Sequence, residues 1–177
     1  MGYRPGRYAA IDIGTVTCRM LVADVDASGA IAELDKEYAI TNLGEGVDAS
    51  GVLAPAAMAR VLAAVDRYVA VRDALAEPGR PVTTIAMATS AARDAANAAE
   101  FAALLAERGV TLAVIPGERE AALSFLGASS DFPDETVAVV DIGGGSTEVV
   151  AGRAGAAPAM AHSFNVGCRR VTERFFR

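Results

Sequence analysis

The chain has 177 residues, enough for one large domain or two small ones around a buried core. Its 53% hydrophobic and 21% charged residues exclude a disordered chain, and alanine supplies much of the mean hydropathy of +0.32. A net charge of -6 argues against a general nucleic-acid binder, and no apolar run reaches the length of a membrane span.

The opening MGYRPGRYAAIDIG lacks the apolar core and cleavage site of a secretory signal, which points to the cytoplasm. Met1-Gly2 would suit myristoylation, but Arg4, Pro5 and Gly6 give it little support. Cys18 and Cys168 have neither disulfide-scaffold density nor metal-ligand spacing, so both are expected as buried or half-buried thiols. Arg153, Arg169, Arg170, Arg174 and Arg177 crowd the last part of the chain and leave a local anion site open.

In chain order, residues 9–14 read as a strand ending in Asp-Ile-Gly, 17–25 as a second strand, and AIAELDKEYAI as a third, edge-like one. These form an antiparallel meander. TNLGEGVDASGVLAP is a turn-rich connection, and helical spacing of Met58, Val61, Leu62, Val65, Tyr68 and Val69 gives a helix from Ala56 to about Glu77, stopped by Pro78-Gly79. Val82 to Ala88 is a buried-type strand with a polar end at Thr89-Ser90. Asn97 and Glu100 fit a capping box for a helix that Gly109 terminates. TLAVIP is a short strand, GEREAALSFLG a helix, DFPDE a surface linker, and VAVVDIG begins new strands.

Asp12 and Asp141 stand 129 positions apart, each at the end of an apolar strand and followed by Ile-Gly and a second strand. Two such turns in one context predict two related domains, 1–130 and 131–177, with the boundary near 128–136 and the second domain only begun.

VVDIGGGSTEVV concentrates the chemistry. Asp141 at a strand end can hold a divalent cation or orient a water. Gly143, Gly144 and Gly145 allow backbone N–H groups to converge on a phosphate, and Ser146 and Thr147 add hydroxyls. Glu148 follows closely in a Val-Val strand. A glycine-rich hairpin with a solvated aspartate has the same residues. The lysine of a nucleotide P-loop is absent, and a strand instead of a helix follows the glycines, so the dinucleotide fingerprint is also excluded. The upstream copy keeps Asp12 and Gly14 but has Thr15, Val16 and Thr17 for the glycines, with Arg19 facing either core or cleft.

Ser90 and Arg93 follow a buried strand, where a guanidinium suits a phosphate, while Asp94 and Asn97 fit caps. Glu118 and Glu120 share a helix start. Helix electrostatics favour such acids, and one of them able to take a proton from water would complete a phosphohydrolase site. His162, the only histidine, sits in a strand and is expected to be structural.

AIDIG, ATSAARDAANAAEF, PGEREA, VVDIGGGSTEVV and FNVGCRRVTERF occur in one order that resembles the exopolyphosphatase and guanosine-pentaphosphate phosphohydrolase (Ppx/GppA phosphatase) family over residues 8–177. The resemblance implies an α/β fold of actin-like or sugar-kinase-like (ribonuclease H-like) type, with mixed sheets, flanking helices and a cleft between two domains. It implies Glu120 as the catalytic base and Asp12 and Asp141 as organisers of magnesium and the phosphate chain. Glu148 assists the metal or water, Gly143 to Gly145 with Ser146 and Thr147 form the main phosphate cradle, and Thr15, Thr17 and Arg93 add phosphate contacts. It further implies Mg2+ as cofactor, a homodimer at full length, and polyphosphate or guanosine pentaphosphate as substrate, with a non-catalytic phosphate-binding relative as the alternative. Val16 departs from the family's asparagine, and Arg19 and Arg119 are further departures.

Overall fold

The computed structural model describes residues 4–176, so Met1, Gly2, Tyr3 and Arg177 lie outside the described residues. Three strands open the chain: β1 (Gly6–Ile13), β2 (Thr17–Val25) and β3 (Ile31–Ile40). They form the expected antiparallel meander, and β4 (Val82–Ala88) and β5 (Leu112–Val114) extend it in parallel on the other side of β1. The resulting order is β3-β2-β1-β4-β5, a mixed sheet. Places beside a central β1 bring its C-terminal end, with Asp12, next to the ends of β2 and β4.

Between β3 and β4 lie α1 (Val47–Ser50) and α2 (Pro55–Ala74); between β4 and β5 lie α3 (Ser90–Asp94) and α4 (Ala98–Ala106). Helix α2 starts with proline at its first position, where no N–H is missed, and buries Met58, Val61, Val65 and Tyr68. With Phe101 and Leu105 of α4 these cover the sheet face that carries Ala9, Ile11, Ile13, Met20 and Val22. Tyr68 is fully buried, and its hydroxyl donates to the Cys18 carbonyl at 2.8 Å, so its polar end is satisfied inside the core. Burial also pushes the Cys18 thiol up to about 12.

The first sheet's far end is fastened by Arg7, 6% exposed, which donates to both Asp24 oxygens at 2.8 and 3.0 Å and to the Leu75 carbonyl at 2.6 Å. The guanidinium holds the Asp24 carboxyl below the usual carboxylate range. Because Leu75 is held there, α2 ends at Ala74 instead of running to Glu77; Glu77 and Arg80 then close a tight turn through Gly79 at φ 78°.

Helix α5 (Gly117–Ser129) leads into an antiparallel sheet of β6 (Thr136–Ile142), β7 (Thr147–Arg153) and β8 (Met160–Phe164), followed by α6 (Cys168–Phe175). Although α5 precedes the expected boundary at 128–136, its Ala121 and Phe125 pack on Val139, Val150 and Ala161 of this second sheet. The opposite face of that sheet is uncovered among the described residues: Val140 is 59% and Ile142 70% exposed.

Some local expectations are corrected. Residues 41–55, expected as connection, contain α1, and Ser90 and Arg93 belong to α3. Asn97 does precede α4, but its side chain makes no capping bond. Its amide instead accepts from the Leu53 N–H at 2.8 Å and donates to the Leu53 carbonyl at 3.1 Å, pinning the chain before α2 to the start of α4. Cys168 is exposed, unlike Cys18. His162 lies in β8 with its ring edge-on to Phe164, centroids 4.3 Å apart.

Candidate active site

Each sheet begins with the same hairpin. In the first, Asp12 is paired across strands with Arg19 and Ile13 with Cys18, and the Gly14 N–H closes the turn on the Thr17 carbonyl at 2.9 Å. In the second, Asp141 is paired with Glu148 and Ile142 with Thr147, and the Gly143 N–H closes on the Ser146 carbonyl at 2.9 Å. The repeat therefore holds down to single hydrogen bonds. It makes Thr15-Val16 the counterpart of Gly144-Gly145, and Arg19 the counterpart of Glu148.

The two turns meet. A Cβ placed on Gly144 would lie 2.6 Å from Val16 Cγ2 and 3.0 Å from Thr15 Cβ. One placed on Gly145 would collide with Ser90 Oγ and lie 2.8 Å from Thr15 Oγ1. Only one of two opposed turns can carry side chains at this distance, so glycine in the second copy accommodates threonine and valine in the first. Val16 thus fills the space over Gly144, which accounts for an apolar residue in a polar turn.

Around this junction is a cavity of about 260 Å³, lined by both turns and by Asp12, Arg19, Glu120, Asp141 and Glu148. Arg19 therefore faces the cleft. Asp12, Asp141 and Glu148 arrive from strand ends, and Glu120 from the first turn of α5. Gly117 makes that approach possible, since a Cβ there would stand 2.6 Å from both Ser163 Cβ and Oγ. Four residues on from Glu120, on the same helix face, the Ser124 hydroxyl donates to Asp141 Oδ2.

The carboxylates are unequal. Glu148 is 1% exposed and accepts from the Ser163 hydroxyl at 2.7 Å. Burial, and then the nearby Glu148 charge, push the Glu120 carboxyl up to about 7, with Arg93 pulling the other way. Arg93 Nη1 stands 3.4 Å from Glu120 Oε2 and donates to the Ile115 carbonyl at 3.0 Å, while its Nη2 is buried without a partner among the described residues. Burial likewise raises Asp12, Arg19 offsets part of that rise, and the charge of Asp141 across the cleft adds to it.

The expected site residues divide accordingly. Asp12, Thr15, Thr17, Glu120, Asp141, Glu148, Gly143 to Gly145 and Ser146 converge on the cavity. Arg93 stands behind Glu120 and is not on the lining. Thr147 alternates to the other face, where its hydroxyl donates to the Val166 carbonyl at 2.5 Å. Among the described residues the arginines of that cluster are paired: Arg170 to Asp48 and Asp94, Arg174 to Asp48, Arg169 to Glu173 and Asn42, and, at the exposed surface, Arg153 to Asp134. Sequence reasoning gave no role to Asp48, Ser124 or Ser163. Only the i, i+4 spacing of Glu120 and Ser124 could have signalled one of them.

Mixed and meander sheets, opening with repeated aspartate hairpins that meet over a carboxylate-lined cavity, define an actin-like α/β protein. The chain belongs to the Ppx/GppA phosphatase family, whose model matches residues 21–177. It is 41% identical to exopolyphosphatase 2 of Mycobacterium tuberculosis over 180 aligned positions, 95% of this chain and 54% of that protein. It is 34% identical over 176 positions to a bifunctional 3-dehydroquinate synthase/phosphatase of Fusobacterium nucleatum, covering 95% of this chain and 26% of that one. Among solved structures, an exopolyphosphatase from Cytophaga hutchinsonii matches with a TM-score of 0.85 at 31% identity, over 96% of this chain and 53% of that one. The Aquifex aeolicus Ppx/GppA family member matches with a TM-score of 0.77 at 31% identity, over 97% and 55% of the two chains. The chain thus spans about half the length of the exopolyphosphatases it matches.

Proposed function

We propose that this protein is an exopolyphosphatase that releases terminal orthophosphate from inorganic polyphosphate by direct attack of water. The observation that carries the reading is Glu120: a carboxyl raised to about 7, in the same cavity as two facing aspartates and two glycine-started turns. A base with that affinity for protons is matched to work near neutral pH. Glu120 takes the proton as the water oxygen bonds to the terminal phosphorus. The bridging P–O bond breaks, and the electron pair leaves with a polyphosphate shortened by one unit. The N–H groups of the two turns hold the phosphoryl oxygens, and Arg93 steers Glu120 without facing the substrate.

Magnesium fits the aspartate pair. Among the described residues no three His, Cys, Asp or Glu side chains form a closed cluster, and a cation that keeps water and substrate oxygens needs only one or two carboxylates. Held by Asp12 and Asp141, with Glu148 behind them, it would neutralise charge on the phosphate chain and relieve the repulsion that raises Asp12. A cytoplasmic homodimer belongs to the same reading through the family; among the described residues no helix is long and apolar enough to cross a membrane.

Side-by-side hydrolysis of polyphosphate, guanosine pentaphosphate and ATP by the full-length protein tests this. Polyphosphate is expected to give the highest kcat/KM, with orthophosphate released one unit at a time. Preference for guanosine pentaphosphate by about tenfold or more, a margin of about 1.4 kcal/mol, would replace this reading with the pentaphosphate phosphohydrolase. Phosphate binding without turnover of any of the three would make the protein a binding relative.

A further inference from the structure

The stretch FNVGCRRVTERF has no part in the reaction described above, yet its helix is seated on the glycine turn. A Cβ on Gly167, at the start of α6, would collide with the Gly144 carbonyl and lie 2.5 Å from Gly145 N. The Cys168 N–H donates to the Gly143 carbonyl at 3.0 Å, and the Arg169 and Arg170 N–H groups to the Gly144 carbonyl at 2.9 and 3.1 Å. The next carbonyl in line, that of Gly145, accepts from Arg170 Nε at 2.8 Å. In a trans peptide the C=O and the following N–H point in opposite directions. With three successive carbonyls drawn to α6, the N–H groups of Gly144, Gly145 and Ser146 are turned away from it, on the side where those residues line the cavity.

Arg170 differs from the other two donors because its side chain bonds the turn itself and also reaches the first sheet's unit; the Arg169 side chain reaches that unit through Asn42 Oδ1 at 2.8 Å but makes no bond to the turn. Its Nη1 donates to Asp48 of α1, and its Nη2 to Asp94 of α3 at 2.5 Å and to Ser90 Oγ at 3.3 Å. Only 14% of the side chain is exposed, and Asp48 is shared with Arg174. Ser90 is the same hydroxyl that a side chain on Gly145 would strike. With two carboxylates already on it, this guanidinium has no free charge to offer a phosphate.

We infer that Arg170 is a positioning residue for phosphate binding. Its Nε sets the Gly145–Ser146 peptide so that the Ser146 N–H faces the phosphoryl oxygens, and its Nη atoms tie that orientation to the closed approach of the two turns. The role deepens the exopolyphosphatase reading and rests on it for the identity of the ligand. A lysine cannot replace it, because one ammonium can stay near Asp48 and Asp94 but cannot also supply the fixed Nε–H to Gly145.

The test uses full-length protein labelled with 15N-glycine and 15N-serine, titrated with orthophosphate, alongside polyphosphate kinetics. In the wild type, orthophosphate is expected to shift the Gly144, Gly145 and Ser146 amide resonances. Arg170→Lys is expected to lose the Ser146 response and to lower kcat by about 100-fold, the scale of one oxyanion donor, with KM less affected. Asp94→Asn, which loosens only the ionic end, is expected to lower kcat less than Arg170→Lys. Wild-type kcat and an intact phosphate response in Arg170→Lys would overturn the assignment, as would a larger effect from Asp94→Asn. If the wild type responds to phosphate but hydrolyses no polyphosphate, the exopolyphosphatase reading fails. Loss of that response in Arg170→Lys would still support the positioning role.

Discussion

Glu120→Gln is expected to lower kcat of the full-length protein on polyphosphate by about 10³-fold, within the range for loss of a general base, while polyphosphate binding stays close to wild type. The physical basis is a carboxyl raised to about 7 by burial and by Glu148, in the cavity where the proposed function seats the terminal phosphoryl group. For the wild type, kcat/KM is expected to climb as pH rises through about 7, where Glu120 loses its proton. Glu120→Gln removes that limb. Stability moves the other way. The folded protein holds this proton more tightly than the unfolded chain, so the stabilisation is complete below the unfolded pKa of 4.5 and is lost as pH rises through about 7. Above that, the ionised Glu120 is a cost. Glu120→Gln is therefore expected to raise the thermal midpoint near pH 8, by a free energy on the order of 2 kcal/mol, and to change it little near pH 4. Equal midpoints at both pH values would show that burial does not penalise this carboxylate.

Gly144→Ala is expected to lower kcat/KM by about 100-fold, the effect of misplacing reacting groups by up to about 1 Å. Its added methyl would stand 2.6 Å from Val16 Cγ2, closer than real Cβ atoms approach, so the two turns must move apart. Trimming the partner relieves part of this. In the double variant Gly144→Ala/Val16→Ala, activity is expected to recover by about tenfold, because side chains in direct contact couple. Thr15 Cβ, at 3.0 Å, prevents full recovery. Strictly additive effects of the two substitutions would mean that the turns do not touch in solution. Measuring kcat/KM for the four proteins of this cycle settles it.

The repeated strand–turn–strand around Asp12 and Asp141 was legible because its signal is local: apolar runs, an aspartate at each strand end and glycine directly after it. The same holds for the apolar faces of α2 and α4, whose helical spacing is written in consecutive residues, although α2 ends at Ala74, short of the Pro78-Gly79 stop. Longer-range features were hidden. Val16 looked like a departure until the opposing turn showed that it occupies the space left by Gly144. Asn97 carries the sequence of a cap, but Leu53, 44 residues earlier, takes its amide. Arg170 sits in a recognisable motif, yet its partners Asp48 and Asp94 lie 122 and 76 residues away. A count of arginines suggested an open anion site, and only tertiary pairing shows that Arg169, Arg170 and Arg174 already have carboxylate partners. The α5 helix lies before the change of sheet in sequence and packs after it, because its apolar face matches β6 to β8.

The most direct measurement is a crystal structure of full-length Glu120→Gln with magnesium and a short polyphosphate. The terminal phosphate is expected between the two turns, accepting from the N–H groups of Gly144, Gly145 and Ser146, with the side chain at position 120 facing the phosphorus and the cation between Asp12 and Asp141. A terminal phosphate bound away from these turns, with position 120 out of reach of it, would contradict the proposed site and its base together.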